Sequence, residues 1–206
     1  MKVAIVGGTG AFGRALARRL RLLGEDVHIG SRDAERARER ALELGVVGGR
    51  NEDVVHGADL IVLATKSNAT LETAAALADE IGDTPVLCVA SDLRFTDIGI
   101  VPGLEHGSLA EHISNVIRAP LASGLQTVSA IDLSGSEPPD QDALVCGDDP
   151  VAKQLALELA GRLVGGRAVD VGPLANSRAL EGMTAVILNV NRDYGVHAGL
   201  RLTGLP

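Results

Sequence analysis

The first ninety residues alternate short, continuous apolar runs with longer stretches that carry charges along one helical face. This alternation is typical of βαβ units, in which buried parallel strands read as apolar runs and helices cover the sheet. Strands, the third of them weak, are therefore predicted at Lys2–Val6, Asp26–Gly30, Val46–Val47, Leu60–Ala64 and Pro85–Ala90. The stretches between them predict helices at Ala11–Leu23, Ala34–Leu44 and Ala69–Ile81, with a short turn at Asn51–Val55.

After residue 90 the pattern becomes less regular. It predicts in turn a loop region, a helix, a late strand and an exposed connection, over Ser91–Gly107, Ser108–Ile117, Leu125–Ile131 and Asp132–Asp142. A last βαβ-like unit follows, with strands and an enclosed helix at Ala143–Cys146, Pro150–Leu163 and Ala168–Val171. The final helix, predicted over Asn176–Asn191, is apolar around much of its circumference, which indicates burial against the sheet or a second subunit.

Composition and charge narrow the class of protein. A chain of 206 residues, 46% of them apolar, can bury one sizeable core and carry a small appendage. The formal net charge of -8 gives no reason to expect nucleic acid or an anionic membrane as a partner. Cys88 and Cys146 fall in apolar runs and match no metal-ligand spacing, so we expect buried thiols and no metal site.

The sequence predicts no targeting or membrane-spanning segment. The N-terminal apolar run stops at Gly7, well short of the roughly 7–15 residues of a signal-peptide core. No other run approaches the roughly 18 apolar residues that a membrane span requires. The protein is therefore expected to be cytoplasmic.

A glycine-rich loop directly follows the first predicted strand and opens the first predicted helix. Such a loop makes a tight turn, lets the backbone approach a pyrophosphate and lets the helix pack closely on the strand. The pyrophosphate then lies at the positive N-terminal end of the helix. The cofactor-binding residues predicted from this loop are Gly8, Thr9, Gly10, Ala11, Phe12 and Gly13.

These features together predict an α/β fold of the Rossmann type, with a doubly wound parallel sheet and a small C-terminal helical and βα extension. We expect residues 1–148 to form the dinucleotide-binding domain. Residues 149–206 are expected to form a small C-terminal domain that closes the acceptor side of the cleft and contributes to a dimer.

The end of the second predicted strand bears on which nicotinamide dinucleotide binds. An NAD-binding domain usually has an acidic residue there, about 20 residues after the glycine loop, to accept from the ribose hydroxyls. Here the chain has Ser31 and Arg32, with Arg36 one turn further. Arg32 can hold a 2′-phosphate with two hydrogen bonds, Ser31 can donate its hydroxyl, and Arg36 adds positive charge. Although these arginines could instead belong to a solvated helix face, the pattern favours NADP(H).

Ligands of open parallel sheets bind outside the carboxyl ends of the strands. Ala64 and Thr65 follow one strand and Ala90 ends the next, so these residues are predicted to lie beside the nicotinamide. For Lys66 two interpretations stay open, because its side chain could reach a ligand phosphate or simply precede a helix.

Taken together, the motifs resemble the NADPH:F420 oxidoreductase family, that is, the NADPH-dependent F420 reductases, and the likeness runs nearly end to end. Members of this family pass hydride between NADP(H) and coenzyme F420, an 8-hydroxy-5-deazaflavin. The residues that carry the resemblance are Gly7-Gly8-Thr9-Gly10, Gly30-Ser31-Arg32, Val145-Cys146-Gly147-Asp148-Asp149, Val171-Gly172-Pro173-Leu174-Ala175-Asn176-Ser177-Arg178, Asn191-Arg192-Asp193-Tyr194 and His197-Ala198-Gly199-Leu200-Arg201.

The resemblance implies an NADP-dependent oxidoreductase with NADP(H) as cofactor, coenzyme F420 as second substrate and a homodimer as the assembly. It places the equivalents of Thr9, Ser31, Arg32 and Arg36 around the 2′-phosphate. The deazaflavin wall that it implies includes Gln126 and Val128 on the late strand, and Leu174, Asn176 and Ser177 before the last helix. Hydride transfer between two ring carbons depends on positioning and water exclusion, so no catalytic side chain is expected.

Three departures from the family pattern lie on the acceptor side of the expected cleft. Thr65-Lys66-Ser67 stands where Pro-Trp is typical, Ala90-Ser91-Asp92 stands where Asn-Pro is typical, and Gln126 stands where histidine is expected. They keep two alternatives open. One is a reductase of another acceptor, such as a flavin or an imine, and the other is a non-catalytic module that senses NADP(H).

Overall fold

A computed structural model describes residues 1–205, in which helices cover both faces of a central sheet. The strands in this range are β1 (Lys2–Val6), β2 (Asp26–Ser31), β3 (Val47–Arg50), β4 (Leu60–Leu63), β5 (Val86–Cys88), β6 (Leu93–Thr96), β7 (Gly99–Pro102), β8 (Leu121–Gly124), β9 (Ala143–Gly147) and β10 (Ala168–Asp170). The helices are α1 (Ala11–Leu22), α2 (Ala34–Leu44), α3 (Asn51–Val55), α4 (Ser67–Ala76), α5 (Ala78–Ile81), α6 (Leu109–Ser114), α7 (Ala130–Leu133), α8 (Pro150–Leu163) and α9 (Ser177–Tyr194), with a 3₁₀ turn at Leu174–Asn176.

Eight of these strands form one sheet in the order β10-β9-β8-β5-β4-β1-β2-β3. Strands β1 to β5 and β8 are parallel, so they end at the same side of the sheet, which we call the carboxyl edge. The order β3-β2-β1-β4-β5-β8 is that of the Rossmann fold, with its topological switch point between β1 and β4. The mostly parallel sheet with its covering helices confirms the predicted Rossmann-type α/β fold class.

The side chains of successive residues in a strand point to opposite faces of the sheet, so the side chains of β1 pack into the apolar cores on both faces. Val3 and Ile5 lie in an apolar core with α1 and α8, whereas Ala4 and Val6 lie in a second core with α4 and α6. Both cores are almost entirely aliphatic. No helix within residues 1–205 is long and apolar enough to cross a membrane.

Strand β9 runs antiparallel to β8, with Gly147 opposite Ala122, and β10 is parallel to β9. After residue 148 the chain therefore extends the same sheet with β10, and α8 packs against it. The buried Asp142 holds the C-terminal tail to this end of the sheet, because its carboxylate accepts hydrogen bonds from the backbone N–H of Leu202 and from the Arg167 guanidinium. These contacts hold the pKa of Asp142 well below its usual range.

The late strand was predicted too far along the chain. It was expected over Leu125–Ile131, but β8 occupies Leu121–Gly124 and the chain leaves the sheet at Leu125, whose φ is +69°. Ser129 then caps α7 by accepting from the N–H of Asp132. The small residues of β8 give little apolar signal, whereas the apolar residues after it pack as a loop. Gln126 and Val128 therefore lie on this loop and not on a strand.

The segment predicted as a loop over Ser91–Gly107 contains the β6-β7 hairpin, whose strand β7 packs on α9. The Asn189 side chain of α9 holds the hairpin to the helix. It accepts from the N–H of Ile100 at 3.0 Å and donates to the carbonyl of Ile100 at 2.7 Å. Hairpin residues such as Phe95 and Ile98 are exposed, so the strands lack the buried alternation by which strands are recognised in a sequence.

Two other boundaries differ from the prediction. The exposed connection expected over Asp132–Asp142 is exposed over 134–138, but Leu133, Gln141 and Asp142 are buried. The helix expected over Ala69–Ile81 begins earlier, at Ser67, and is divided into α4 and α5.

Candidate active site

A cleft of about 320 Å³ opens at the carboxyl edge of the sheet, between the loops that follow β4, β5 and β8 and one face of α9. None of the side chains that line it is ionisable. The lining consists of Phe12, Ala64, Thr65, Ser67, Val89, Ala90, Ser91, Leu125, Gln126, Thr127, Val128, Ser129, Ala130, Thr184, Ile187, Leu188 and Asn191.

The glycine loop is held to the sheet by backbone contacts that leave no space for side chains. Gly8 donates its N–H to the carbonyl of Gly30, and a Cβ at Gly8 would lie 2.6 Å from the Cβ of Ile29. A Cβ at Gly13 would lie 2.7 Å from the Cα of Gly8. The left-handed residue of the turn is Gly7, with φ +79°, and not Gly8 as the motif suggests. Gly8 and Gly13 thus serve close packing.

The N-terminus of α1 has no side-chain cap, unlike the N-termini of three other helices. Helices α2, α6 and α8 are capped by the side chains of Asp33, Ser108 and Asp149. The N-cap of α1 is Gly10, which has no side chain to accept from the first N–H groups, and the first turn contains no acidic residue. The first N–H groups of α1 are thus left for an anion such as a pyrophosphate.

The predicted 2′-phosphate residues cluster at the carboxyl end of β2. Ser31 ends the strand, and its Oγ accepts from the N–H of Asp33 at 3.2 Å. Within residues 1–205 its hydroxyl donates to no other group, so it can donate to a ligand. Arg32 follows and Arg36 lies in the first turn of α2, and neither pairs with an acidic side chain within residues 1–205. The Asp33 carboxylate, which would repel a phosphate, is engaged as the cap of α2 through the N–H of Arg36.

The structure brings most of the predicted nicotinamide and acceptor residues together. Those that line the cleft are Ala64, Thr65, Ala90, Gln126 and Val128, and Phe12 of the glycine loop lies with them. Lys66 is the N-cap residue of α4 and its side chain does not line the cleft, which favours the structural interpretation of this residue.

Three predicted acceptor residues do not line this cleft. Leu174 is buried over the face of the sheet beside Cys146, and Ser177 is buried with its Oγ 2.6 Å from the Oγ of Ser108. Asn176 is exposed and donates to the carbonyl of Val171. These residues lie elsewhere because β9 runs antiparallel to β8, so that β9 ends at the opposite edge of the sheet. Asp148, which follows β9, accepts from the N–H of Leu174 and holds this segment there, away from the carboxyl edge.

Helix α9 lines the cleft from Thr184 onward, and these cleft residues were not predicted from the sequence. The Oγ1 of Thr184 donates to the carbonyl of Gln126 and lies 3.0 Å from the Oγ of Ser91, so it joins the helix to two cleft loops. Ile187 and Asn191 follow at helical spacing. The signal in the sequence was a polar residue, Thr184, within the apolar stretch of this helix.

The loop after β8 carries two polar atoms without partners. The Nε2 of Gln126 donates to the Oγ of Ser123 at 2.6 Å and to the carbonyl of Cys88 at 3.2 Å. The Oε1 of Gln126 and the Oγ1 of Thr127 are buried and have no hydrogen-bond partner within residues 1–205. Buried polar atoms without partners are costly, so this loop is suited to a ligand that supplies the missing bonds.

Glu181 on α9 is a buried carboxyl beneath the cleft. It accepts from the N–H of Leu109 at 2.8 Å and from the N–H of Asp92 at 3.3 Å, so it ties α9 to α6 and to the start of the hairpin. Burial raises the pKa of Glu181 to about 7, against the opposing effect of these backbone hydrogen bonds.

Because of this raised pKa, the Glu181→Gln variant is expected to become more stable relative to the wild type as the pH rises. A carboxyl whose pKa is raised by folding lowers stability as pH rises, from its unfolded pKa near 4.3 until it is ionised in the folded state above about 7. Glutamine does not ionise. The free energy of unfolding of the variant, relative to that of the wild type, should therefore rise by roughly 2–3 kcal/mol between pH 5 and pH 8. Urea unfolding at pH 5, 6, 7 and 8 measures this, and a pH-independent difference would contradict it.

The two cysteines are buried and unpaired, as predicted. Burial raises the pKa of the Cys88 thiol, and likewise that of Cys146, to about 12, so neither forms a thiolate nucleophile near neutral pH. The side chains that line the cleft are apolar or neutral, and none of them carries a carboxylate, amine, imidazole or thiol that could act as an acid or base.

Comparisons with known proteins identify the family of this chain. The model of the family "NADP oxidoreductase coenzyme F420-dependent" matches residues 2–91. An F420-dependent NADP reductase of Methanothermobacter thermautotrophicus is 35% identical over 229 residues, which cover 100% of this chain and 96% of that protein. The corresponding reductase of Methanocaldococcus jannaschii is 34% identical, with 100% and 99% covered.

A solved structure from Arthrobacter sp. FB24, provisionally described as an F420-dependent NADP-reductase, has the same architecture. It is 25% identical to this chain, with a TM-score of 0.87 over 98% of this chain and 99% of its own. The similarity therefore includes the C-terminal helix that lines the cleft.

Proposed function

The chain belongs to the family of coenzyme F420-dependent NADP oxidoreductases, and we propose that it transfers hydride between NADP(H) and coenzyme F420 in the cleft at the carboxyl edge. The observation that carries this proposal is the lining of the cleft, which is apolar or neutral throughout and contains no ionisable side chain. Acid–base or nucleophilic chemistry requires such side chains, whereas hydride transfer between two rings requires only distance, orientation and a dry site.

In this proposal the residues of the N-terminal half hold the dinucleotide. The uncapped first turn of α1 accepts the pyrophosphate, and Thr9, Ser31, Arg32 and Arg36 hold the 2′-phosphate. Ala64, Thr65 and Ala90 line the cleft where the nicotinamide then lies. In the same proposal residues 1–148 form the dinucleotide-binding part of the enzyme, and the chain after residue 148 closes the acceptor side through α9.

The acceptor ring is held by the loop after β8 and by α9. When bound, the deazaflavin supplies the ring carbon that exchanges hydride with the nicotinamide. Val128 and Ile187 give an apolar wall that excludes water, and Thr184 fixes the loop through the Gln126 carbonyl. Since the Nε2 of Gln126 is already bonded within the protein, Gln126 offers a ligand its Oε1, which is an acceptor. The same proposal gives a structural role to the residues at the start of α9, which do not contact the ring: Leu174, Asn176 and Ser177.

An acceptor panel tests the activity. Purified protein and NADPH are mixed with coenzyme F420, with FMN or with a cyclic imine, and the absorbance of each acceptor and of NADPH is followed. The expected result is bleaching of coenzyme F420 alone. Reduction of FMN or of the imine in its place would indicate a different acceptor, and NADPH binding without any reduction would indicate an NADP(H)-sensing module.

Gln126→His is expected to change the rate of deazaflavin reduction and to add a pH dependence near the imidazole pKa. A histidine can present positive charge to the ring below its pKa of about 6.5, whereas glutamine is neutral at every pH tested. Stopped-flow reduction from about pH 5.5 to 8.5 measures this change, and the NADPH dissociation constant should not alter. Gln154→His, on the exposed Gln154 side chain of α8, is the matched control. If the Gln126→His and wild-type profiles superimpose, the loop after β8 does not contact the acceptor.

A homodimer in the cytoplasm is part of the same proposal. Large apolar side chains are exposed on the hairpin, at Phe95 and Ile98, and on the outer side of α9, at Val186 and Tyr194. Because the hairpin packs on α9, these side chains lie on neighbouring elements, and an exposed apolar surface of this kind supports a subunit contact. Sedimentation equilibrium should then give twice the mass of the chain.

A further inference from the structure

A second groove, of about 400 Å³, runs along α1 on the side that packs against α7. It meets the cleft at Ala130, which lines both, and it begins at Ala11, next to the cleft residue Phe12. From there it passes Arg14 and Arg18, a distance of about 10 Å along the helix. A ligand too long for the cleft would therefore extend into this groove.

The arginines of α1 divide into two pairs. Arg19 is buried and donates to the carbonyls of Ser136 and Glu137, and Arg21 donates to the carbonyl of Gly45. These two side chains hold loops of the fold in place. The other two arginines of the helix have no such role.

Arg14 and Arg18 are exposed, line the groove and have no ion pair or side-chain hydrogen bond within residues 1–205. They lie four residues apart on one helix face, where like charges repel each other. Two unpaired arginines on a shared face stand out in a chain whose net charge is -8. Such a pair attracts an anion, and guanidinium groups bind phosphate and carboxylate with paired hydrogen bonds.

The groove also contains one acidic residue, Glu43, near the end of α2. This part of α2 lies beside the C-terminal end of α1, away from the cleft, because Arg21 donates to the carbonyl of Gly45. Its carboxylate accepts from Arg40 with both oxygens, at 2.7 and 2.9 Å. Its charge is therefore largely compensated by Arg40, so the end of the groove next to the cleft is the one that favours an anion.

We propose that Arg14 and Arg18 bind the anionic side chain of the deazaflavin substrate, a chain of phosphodiester and carboxylate groups that extends from the ring out of the cleft. This inference rests on the proposed function. It adds a specificity site that recognises the tail of the acceptor and not its reacting ring. A deazaflavin without the tail would fit the cleft but make no contact in the groove.

The test compares coenzyme F420 with the tailless deazaflavin, which ends at its sugar alcohol, for the wild type and for Arg14→Gln, Arg18→Gln and the double variant. The expected result is a KM for coenzyme F420 raised about tenfold by each substitution, with kcat nearly unchanged. The KM for the tailless compound and the Kd for NADPH should not change. Arg118→Gln, which removes an exposed charge on the segment before β8, is the matched control.

Salt provides a second readout. The preference of the wild type for the tailed substrate should fall as ionic strength rises, and that of the double variant should not. Equal KM values for both deazaflavins in the wild type, or equal effects of the substitutions on both, would overturn the inference and leave the proposed function intact. If the wild type reduces neither deazaflavin, the proposed function fails and the inference fails with it.

Discussion

Gly13→Ala is expected to weaken NADPH binding at least about 100-fold and to lower the free energy of unfolding by roughly 1–3 kcal/mol. The new Cβ would lie 2.7 Å from the Cα of Gly8 and 2.8 Å from the carbonyl oxygen of Gly7. Both are backbone atoms, so no side-chain rotation can relieve the overlap. The first turn of α1 must move away from the loop, and its N–H groups then no longer converge on the pyrophosphate.

The chain offers a matched control for this substitution. Gly161 also lies within a helix, but a Cβ there would be 3.6 Å from the Cβ of Ala168, an ordinary contact. Gly161→Ala should therefore keep NADPH binding and gain up to about 1 kcal/mol, because alanine favours the helix over glycine. Isothermal titration with NADPH and urea unfolding measure both variants. Equal NADPH affinity in the two variants would show that the loop does not bind the dinucleotide.

Arg32→Ala is expected to weaken NADPH binding about 10- to 100-fold and to leave NADH binding nearly unchanged. One charge-assisted contact to a phosphate is worth roughly 1.5–3 kcal/mol, and each 1.4 kcal/mol is a factor of ten. Arg32 is exposed, so the lower part of this range is expected. The side chain distinguishes the nucleotides only if it meets the 2′-phosphate, which NADH lacks.

Arg38→Ala is the control for Arg32→Ala, because it removes the same charge from an exposed position further along α2. Its effect on NADPH binding should be small. The measurement is a titration with both nucleotides at one ionic strength. If Arg32→Ala weakened the binding of NADPH and NADH equally, Arg32 would not bind the 2′-phosphate and the assignment of this site would be wrong.

The first half of the fold could be predicted from the sequence because its signals are local. Apolar runs mark β1, β2, β4 and β5, and the glycine loop between β1 and α1 identifies the dinucleotide edge without knowledge of distant contacts. The residues of this edge that were chosen from the sequence, among them Ala64 and Thr65, do line the cleft.

The acceptor side was harder to predict because it depends on contacts between distant segments. The direction of β9 relative to β8 is set by pairing across the sheet, and it carries Leu174 and Ser177 away from the cleft. The contact of Thr184 with the Gln126 carbonyl joins residues 58 positions apart. Neither relation produces a periodic pattern in the sequence. The left-handed Leu125 that follows β8 is not a residue type that signals a turn.

The most direct test of the central claim is the fate of the hydrogen that leaves NADPH. NADPH deuterated on one face of the nicotinamide C4 is mixed with coenzyme F420 and the enzyme in ordinary water, and the reduced deazaflavin is analysed by mass spectrometry. If the two rings stack in the shielded cleft, deuterium from one face, and only that face, should appear on the deazaflavin ring carbon. Reduced deazaflavin that carries hydrogen from water, or no reduction at all, would contradict direct hydride transfer between the two ligands.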